Sequence, residues 1–588
     1  MKRFNYISFF ILFTLLVVAC REKEKSGDVV ILYTTDVHGY VLPYDFTKQR
    51  PSEASLANAS TIIKEVREEY GRDMLLFDAG DLYQGTPSMY YYNYHSVDEM
   101  HLATRVVNYL QYDGLVVGNH DLEAGEDIYL NRVSRQLEPV WLGANAVDTR
   151  TGRGMFRPYK IYERHGFKIA VLGLITPETG VQLPKNLTPH LSFKLMTEYA
   201  KRWVEEIKAN ENPDYIVAIT HAGIKDFEIV NKTDTIKDGI NTLVNNVRGI
   251  DLLLFGHDHG VYEGSLVNQW GDSVKLLQPS HNGTEIGRVD IHFDRKDDAV
   301  VCTTSTQRIN LADCPVDEDY MKTFGGAIDT INNFLDSPLG YLDEDFDMEG
   351  TLYRQTNAMD FIHHIQLDAT GADISFASAL SSFKTIPSGP ITLRTLFSLY
   401  RYDNQIHKIW MTGADIKKFL EYGYDRQFGV MKSADSHLLA FKYDDKGNIT
   451  YGRFGPDLVV PQYNYTSAAG INYEIDVRKP LGNRVNIISL ADGSPFNLNQ
   501  QYTVAISSYQ AAGGGGFITR GLGWSEDDIA YHTLSESSKN IIFLITSYIQ
   551  RLQHVTTHPN GRWRTIPSDW SENNGPKDAA LLLPYIAK

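Results

Sequence analysis

The chain has 588 residues, of which 43% are hydrophobic and 22% charged, and it carries a formal net charge of -17 at neutral pH. That length exceeds what one core sustains, so two domains with their connections are expected, and the balance of apolar and charged residues excludes a largely disordered chain. The acidic balance argues against a nucleic-acid polymer as partner, since phosphate backbones are held by basic surfaces, but it leaves small phosphates held through a metal open.

Residues 1–20 begin Met1-Lys2-Arg3, run apolar from Phe9 to Val18 and end in Ala19-Cys20. A basic start, a short apolar core and a small residue describe a secretory signal; a spanning helix needs about 20 apolar residues. The ending Val17-Val18-Ala19-Cys20 resembles a bacterial lipoprotein signal. The resemblance implies acylation of Cys20 and an exported protein, in the periplasm or on the cell surface, held to the membrane by lipid. Residues 21–27 then read as a tether. Only Cys302 and Cys314 follow, and two cysteines permit a disulfide without establishing one.

Residues 29–33 form a β-branched apolar run that ends in Thr34-Thr35-Asp36-Val37-His38-Gly39, a buried strand delivering an Asp and a His two positions apart. Residues 54–70 have helical spacing and a charged face, the expected crossover to a parallel strand. That strand, 74–77, ends in Asp78-Ala79-Gly80-Asp81. A helical stretch over 97–110 leads to Leu115-Val116-Val117, which closes in Gly118-Asn119-His120-Asp121-Leu122. Residues 139–144, 159–162 and 168–174 read as core strands without site residues. After a helix over 197–209, the strand 215–219 ends in Thr220-His221-Ala222-Gly223, and the strand 251–255 ends in Gly256-His257-Asp258-His259-Gly260.

Five strand ends thus carry polar clusters, most of them bounded by Gly. Asp36, His38, Asp81, Asn119, His221, His257 and His259 suffice for two adjacent ions if one carboxylate bridges, and Asp81, alone in its cluster, is the natural bridge. Without a cation between them, carboxylates at neighbouring strand ends would repel. Two ions held close clamp the attacking and leaving oxygens of a phosphoryl displacement and lower the pKa of a bound water, so the chemistry implied is phosphoester hydrolysis. The mixed nitrogen and oxygen donors suit two divalent ions of Mn, Zn, Fe or Co. His95, His101, His165 and His190 read as surface or packing residues. Asp121 and Asp258 stay unassigned, and His281 reads equally as facing the metals or as a loop histidine bonded to backbone.

Asp36-x-His38, Gly80-Asp81, Gly118-Asn119-His120, Thr220-His221 and Gly256-His257-Asp258-His259 resemble the five signature blocks of the calcineurin-like metallophosphoesterases. The resemblance implies an α/β fold, a four-layer β-sandwich flanked by helices over residues 28–312. It also implies one ion on Asp36, His38, Asp81 and His259, and a second on Asp81, Asn119, His221 and His257. His120 would contact the phosphate and assist the leaving oxygen. In the nucleotidase branch its partner is usually an Asp three residues later; here that position is Glu123, a longer carboxylate that could still orient the imidazole, and whether its extra methylene lets it do so is for the structure to answer.

Residues 313–345 turn acidic and helical, best over 320–334, and read as a linker. From 346 to 550, helical and strand-like segments alternate as an α+β substrate domain, and 551–588 are expected as a tail. Residues 391–420, Gly470-Ile471-Asn472-Tyr473-Glu474-Ile475 and Ser508-Tyr509-Gln510-Ala511-Ala512-Gly513-Gly514 resemble the C-terminal domain of the nucleotidase superfamily, where two aromatic rings sandwich the base. The substrate contacts so implied are Tyr402, Asn404, Tyr509, Gly513 and Gly514; otherwise a Tyr in this chain is a packing residue. Ala377-Ser378-Ala379-Leu380-Ser381-Ser382 departs from the Asn-Gly-Gly-Gly-Ile-Arg loop of the 5′-nucleotidase branch, and Gly515 stands where that branch carries an Asp. Thr392-Leu393-Arg394 and Gly470-Ile471-Asn472-Tyr473 are similar to bacterial 2′,3′-cyclic-nucleotide 2′-phosphodiesterase/3′-nucleotidases, which implies that activity on nucleotide substrates for a monomeric lipoprotein. A 5′-nucleotidase or UDP-sugar hydrolase is the alternative, and a nucleotide-binding surface lipoprotein without turnover is the alternative of another class.

Overall fold

The computed structural model describes residues 25–586 apart from 231–234, 297–298, 379–383, 401, 403 and 453–454. The signal segment, with Cys20, and residues 379–382 of the divergent loop lie outside the described residues.

The first half is organised by strands buried on both faces. In Lys25–Thr34, Val29, Ile31 and Tyr33 point into one cluster and Val30 and Leu32 into another, the period-2 alternation of a strand between two layers. One six-stranded sheet runs in the order Ala299–Asn310, Glu285–Lys296, Lys25–Thr34, Met74–Asp78, Gly114–Val116, Val140–Leu142. A second runs Tyr262–Val267, Ser273–Gln278, Leu252–Phe255, Tyr215–His221, Phe167–Ile175, Tyr159–Arg164. The two stack face to face through Ile31, Phe77, Val116, Ile169, Val217, Leu254 and Ile291. Each such buried side chain contributes about 1.5–3 kcal/mol, so this layer sets where the strands sit. Helices Leu56–Tyr70 and Leu102–Leu110 cover the first sheet, and Met196–Glu211 and Ile240–Asn246 the second. The result is a four-layer sandwich of α/β class.

Parallel pairing decides where the site falls. Lys25–Thr34 runs parallel to Met74–Asp78, which runs parallel to Gly114–Val116. Tyr215–His221 runs parallel to Leu252–Phe255. All five C-terminal strand ends therefore open on one edge of the sandwich, where open α/β sheets gather ligands.

The connection read as one helix over 320–334 is two, Glu318–Phe324 and Gly326–Leu335, meeting at the glycine pair 325–326. The second half is α+β. Its five-stranded sheet has the order Thr466–Ala469, Ile374–Ser378, Gln501–Ser507, Ile406–Thr412, Thr533–Glu536. Asn357–Thr370 and Gly413–Gln427 pack on it, with Phe376 stacked on Phe419 at 4.1 Å between ring centroids. The last residues are part of this body: Trp563–Ile566 pairs in parallel with Ile471–Asp476, and Asp578 of the final helix Ser568–Ile586 accepts the backbone N–H groups of Leu438 and Leu439. Arg394 fastens the two halves, donating to the Phe46 carbonyl, to Asp336 at 2.8 Å and to Asn332 at 3.0 Å, while Tyr90 meets Phe397 edge to face. Among the described residues, no helix is long and apolar enough to cross a membrane.

Candidate metal centre and active site

The strand-end loops are held in an uncommon backbone shape. Asp36, His38, Asp81, His257 and His259 all have positive φ, at 49°, 47°, 62°, 88° and 55°. Non-glycine residues seldom occupy this region, and holding one there costs on the order of 1 kcal/mol or more. Cross-loop hydrogen bonds over-determine the shape: Asp36 N–H donates to the Gly80 carbonyl at 2.9 Å and His38 N–H to that of Asp81 at 2.8 Å. The His257 N–H reaches both carboxylate oxygens of Asp36 at 3.0 Å.

Two groups of donor atoms result. In one, His38 Nε2 and His259 Nε2 face each other at 2.8 Å, and His259 Nε2 lies 3.6 Å from Asp36 Oδ1. In the other, Asn119 Oδ1 lies 3.0 Å from both His221 Nε2 and His257 Nδ1, which are 3.3 Å apart. Asp81 Oδ2 stands between, 3.0 Å from His221 Nε2 and 3.9 Å from His38 Nε2. In spite of these approaches it is a buried carboxylate oxygen that makes no well-formed hydrogen bond. The electrostatics agree. Burial pushes the His38 imidazole down to about 3, which keeps a lone pair available. Burial also opposes a charge on His221, but the Asp81 carboxylate overrides it and pushes the imidazole up to about 9, so the pocket is short of positive charge. Convergent lone pairs around two buried carboxylates fit divalent cations.

His120 stands beside these groups without joining them. Its N–H donates to Asp81 Oδ1 at 2.8 Å, and its Nδ1 pairs with Glu123 Oε1 at 2.7 Å, so the longer carboxylate does reach the imidazole. Burial works against its charge, yet Glu123 and then Asp81 outweigh it and push the imidazole up to about 10. One edge of the ring is accessible, the side chain being 29% exposed.

Two carboxylates left unassigned by the sequence organise the loops. Asp121 Oδ1 accepts from Leu82 and Tyr83 N–H at 2.8 and 3.0 Å, and Oδ2 from Gly118 and Asp81 N–H at 2.8 and 3.1 Å. Burial and the Asp81 charge still push its carboxyl up to about 6. Gly118 must be glycine here, since a Cβ would lie 2.2 Å from Asp81 Oδ1. Asp258 accepts from Ile224 N–H at 3.0 Å and from the Gln278 amide at 2.6 Å, tying the last strand end to the His221 loop. His281 stacks on His259, centroids 4.6 Å apart. Cys302 and Cys314 are free thiols, and burial pushes that of Cys302 up to about 12.

On the second domain, Tyr402 and Tyr509 are both partly exposed, and a third ring, Tyr463, accompanies them. Burial, then Tyr463, Glu178 of the first domain and Tyr402 push the Tyr509 phenol up to about 12. The Tyr509 hydroxyl donates to Asn464 at 3.5 Å. Gly513 turns the chain at φ 99°, and a Cβ on Gly514 would lie 2.5 Å from the Tyr509 ring. Asn404 has a framework contact, donating to the Tyr400 hydroxyl at 3.0 Å. Glu178 and Tyr463 escaped the sequence reading. Glu178 carried a signal, a carboxylate just beyond the strand Phe167–Ile175, whereas Tyr463 carried none.

Two groups of donors that could each hold a metal ion, at the strand ends of a four-layer sandwich that is followed by an α+β domain, define the class. Residues 29–261 match the calcineurin-like phosphoesterase family, and residues 337–520 match the 5′-nucleotidase C-terminal domain. A 2′,3′-cyclic-nucleotide 2′-phosphodiesterase/3′-nucleotidase of Yersinia enterocolitica is 24% identical, covering 92% of this chain and 88% of that protein. The trifunctional nucleotide phosphoesterase YfkN of Bacillus subtilis is also 24% identical, over 91% of this chain and 39% of its own length. Among solved structures, a Staphylococcus aureus protein provisionally described as a 5′-nucleotidase has a TM-score of 0.73 at 20% identity, covering 92% of this chain and 100% of that one. The chain belongs to the calcineurin-like metallophosphoesterases that carry a 5′-nucleotidase C-terminal domain. It is a phosphoric ester hydrolase.

Proposed function

We propose that the protein hydrolyses nucleoside 2′,3′-cyclic phosphates and 3′-nucleotides at a two-metal centre. The observation that carries this reading is the His120–Glu123 pair, 2.7 Å apart, beside an Asp81 whose carboxylate is shared by two donor groups. Asp36, His38, Asp81 and His259 would hold one divalent ion and Asp81, Asn119, His221 and His257 the other. When bound, the two ions stabilise the charge developing on the phosphoryl oxygens and lower the pKa of an attacking water. His120, kept protonated by Glu123, donates to the phosphate and delivers its proton to the leaving ribose oxygen. Tyr402 and Tyr509, with Gly513 and Gly514 shaping the turn beside them and Asn404 bracing Tyr400, stack on the base whatever its identity.

In this reading residues 28–312 carry the metals, 313–345 link, and 346–550 carry the nucleoside pocket, with residues 1–20 directing export and Cys20 anchoring the chain by lipid. Support for the substrate comes from the similarity to the Yersinia enzyme over 92% of the chain, and from Gly515 and the 377–382 segment, which lack the residues of the 5′-specific branch. The test is a panel of 2′,3′-cyclic AMP, 3′-AMP, 5′-AMP, UDP-glucose and p-nitrophenyl phosphate with metal-loaded protein. The first two are expected to be turned over best, and a large preference for 5′-AMP would overturn the substrate assignment. Stacking of about 1–3 kcal/mol makes Tyr509→Ala cost roughly 5- to 150-fold in kcat/KM for nucleotides with little effect on the aryl phosphate. Equal losses on both would return Tyr509 to packing.

A further inference from the structure

Each imidazole of a metal centre has a second nitrogen that must be partnered if the ring is to hold its angle. For His221 that partner is the Ala79 carbonyl, 2.8 Å from Nδ1. His257 presents Nδ1 to Asn119 and His221, and its remaining nitrogen, Nε2, lies 3.6 Å from Glu178 Oε2. Glu178 follows the strand Phe167–Ile175, and its position is set by backbone. Its N–H donates to Thr176 Oγ1 at 3.3 Å, its carbonyl accepts from Val181 and Gln182, and the Thr176 N–H donates to the His221 carbonyl at 2.9 Å. The loop is thereby pinned to the strand that supplies another of the proposed ligands.

We propose that Glu178 is a positioning residue for His257: its carboxylate, 3.6 Å from Nε2, is the charge partner of an Nε2–H and favours the tautomer that leaves Nδ1 free for the second ion. This rests on the ligand assignment above. The imidazole Nε2–H and a carboxylate form the pair that most strengthens a histidine as a ligand, and loss of such a partner typically weakens a metal site by about 10- to 100-fold.

The experiment is titration of metal-free full-length protein with Co(II), followed by visible absorption and by calorimetry, for the wild type and for Glu178→Ala, Glu178→Gln and Glu178→Asp, with His257→Ala alongside. Two binding steps are expected in the wild type. Glu178→Ala should weaken one of them by about 10- to 100-fold and leave the other unchanged, with partial recovery in Glu178→Gln and Glu178→Asp. Because the side chain is one-third exposed, the metal-free variants should melt within about 2 °C of the wild type, which separates a local effect on the ion from a general loss of folding. If Glu178→Ala titrates like the wild type while His257→Ala loses one step, the role of Glu178 is overturned and the ligand assignment stands. If His257→Ala also keeps both steps at wild-type affinity, the ligand assignment fails first and takes this proposal with it.

Discussion

Asp121→Asn tests how the centre is held together more sharply than removal of any ligand. In the wild type the four N–H groups of Asp81, Leu82, Tyr83 and Gly118 end on two oxygens of one buried carboxylate. An asparagine keeps one acceptor oxygen and replaces the other by an NH2, so two of the four buried N–H groups lose their acceptor and face a donor. At about 1–3 kcal/mol for each orphaned buried group, the loss is about 2–6 kcal/mol. It falls on the two loops that carry Asp81 and Asn119, so the damage should appear in the metals before it appears in the fold. The assay is metal content after gel filtration, together with differential scanning calorimetry of the metal-loaded variant. The expected result is less than the full complement of ions and a lower melting temperature for the first domain alone. A variant that keeps both ions, wild-type melting and wild-type turnover would refute the idea that these four bonds position the bridging carboxylate.

Other outcomes follow from the same geometry. His120→Ala should lower kcat by about 10²–10⁴ while leaving metal content intact, and Glu123→Gln should lower it less, by about 10–100-fold, both checked by steady-state kinetics with elemental analysis. His101, His363 and His407 are buried, and burial holds them down at about 3, about 3 and about 4. Their contribution to stability is complete above the unfolded value of 6.5 and is lost as pH falls from there toward those folded values. At about pH 5 each costs about 2 kcal/mol. Melting followed from about pH 8 to about pH 5 should thus show the second domain, which holds His363 and His407, losing stability. Chelation should lower the melting of the first domain only, by an amount equivalent to about 4 kcal/mol for each ion present at about 1,000 times its Kd, since the left-handed ligand loops lose what holds their carboxylates together. Unchanged calorimetric transitions after chelation would detach the ions from the stability of that edge.

The sequence made the sandwich legible because its strands are runs such as Leu252–Phe255 that stop in glycine and polar residues. Four or five apolar residues ending in glycine are the length of a strand buried on both faces and too few for a buried helix. Parallel pairing then carries Asp36, Asp81, Asn119, His221 and His257 to one edge. Asp121 was not legible, because its partners at 81–83 lie about forty residues away and are backbone groups, which leave no mark in composition. Glu178 was hidden by a strand that reads as core up to its last residue. Tyr463 sits among many tyrosines with nothing in its spacing to separate it. The break at 325–326 turns on two glycines that a helical pattern tolerates, and the pairing of Trp563–Ile566 with a strand ninety residues earlier has no local signature.

That last pairing has a consequence for how the chain matures. The sandwich is complete once residue 310 is available, since its edge strand is Ala299–Asn310. The second domain lacks a strand of its smaller sheet and the Asp578 brace until the final segment arrives. Folding from the N-terminus during synthesis is therefore sequential, with the first body closed while the second still waits for its last strand. On the proposed function, the edge that would take up the ions is built before the domain that would hold the nucleoside, and truncation of the last thirty residues should yield a protein that still takes up metal yet no longer discriminates among phosphate esters by their base.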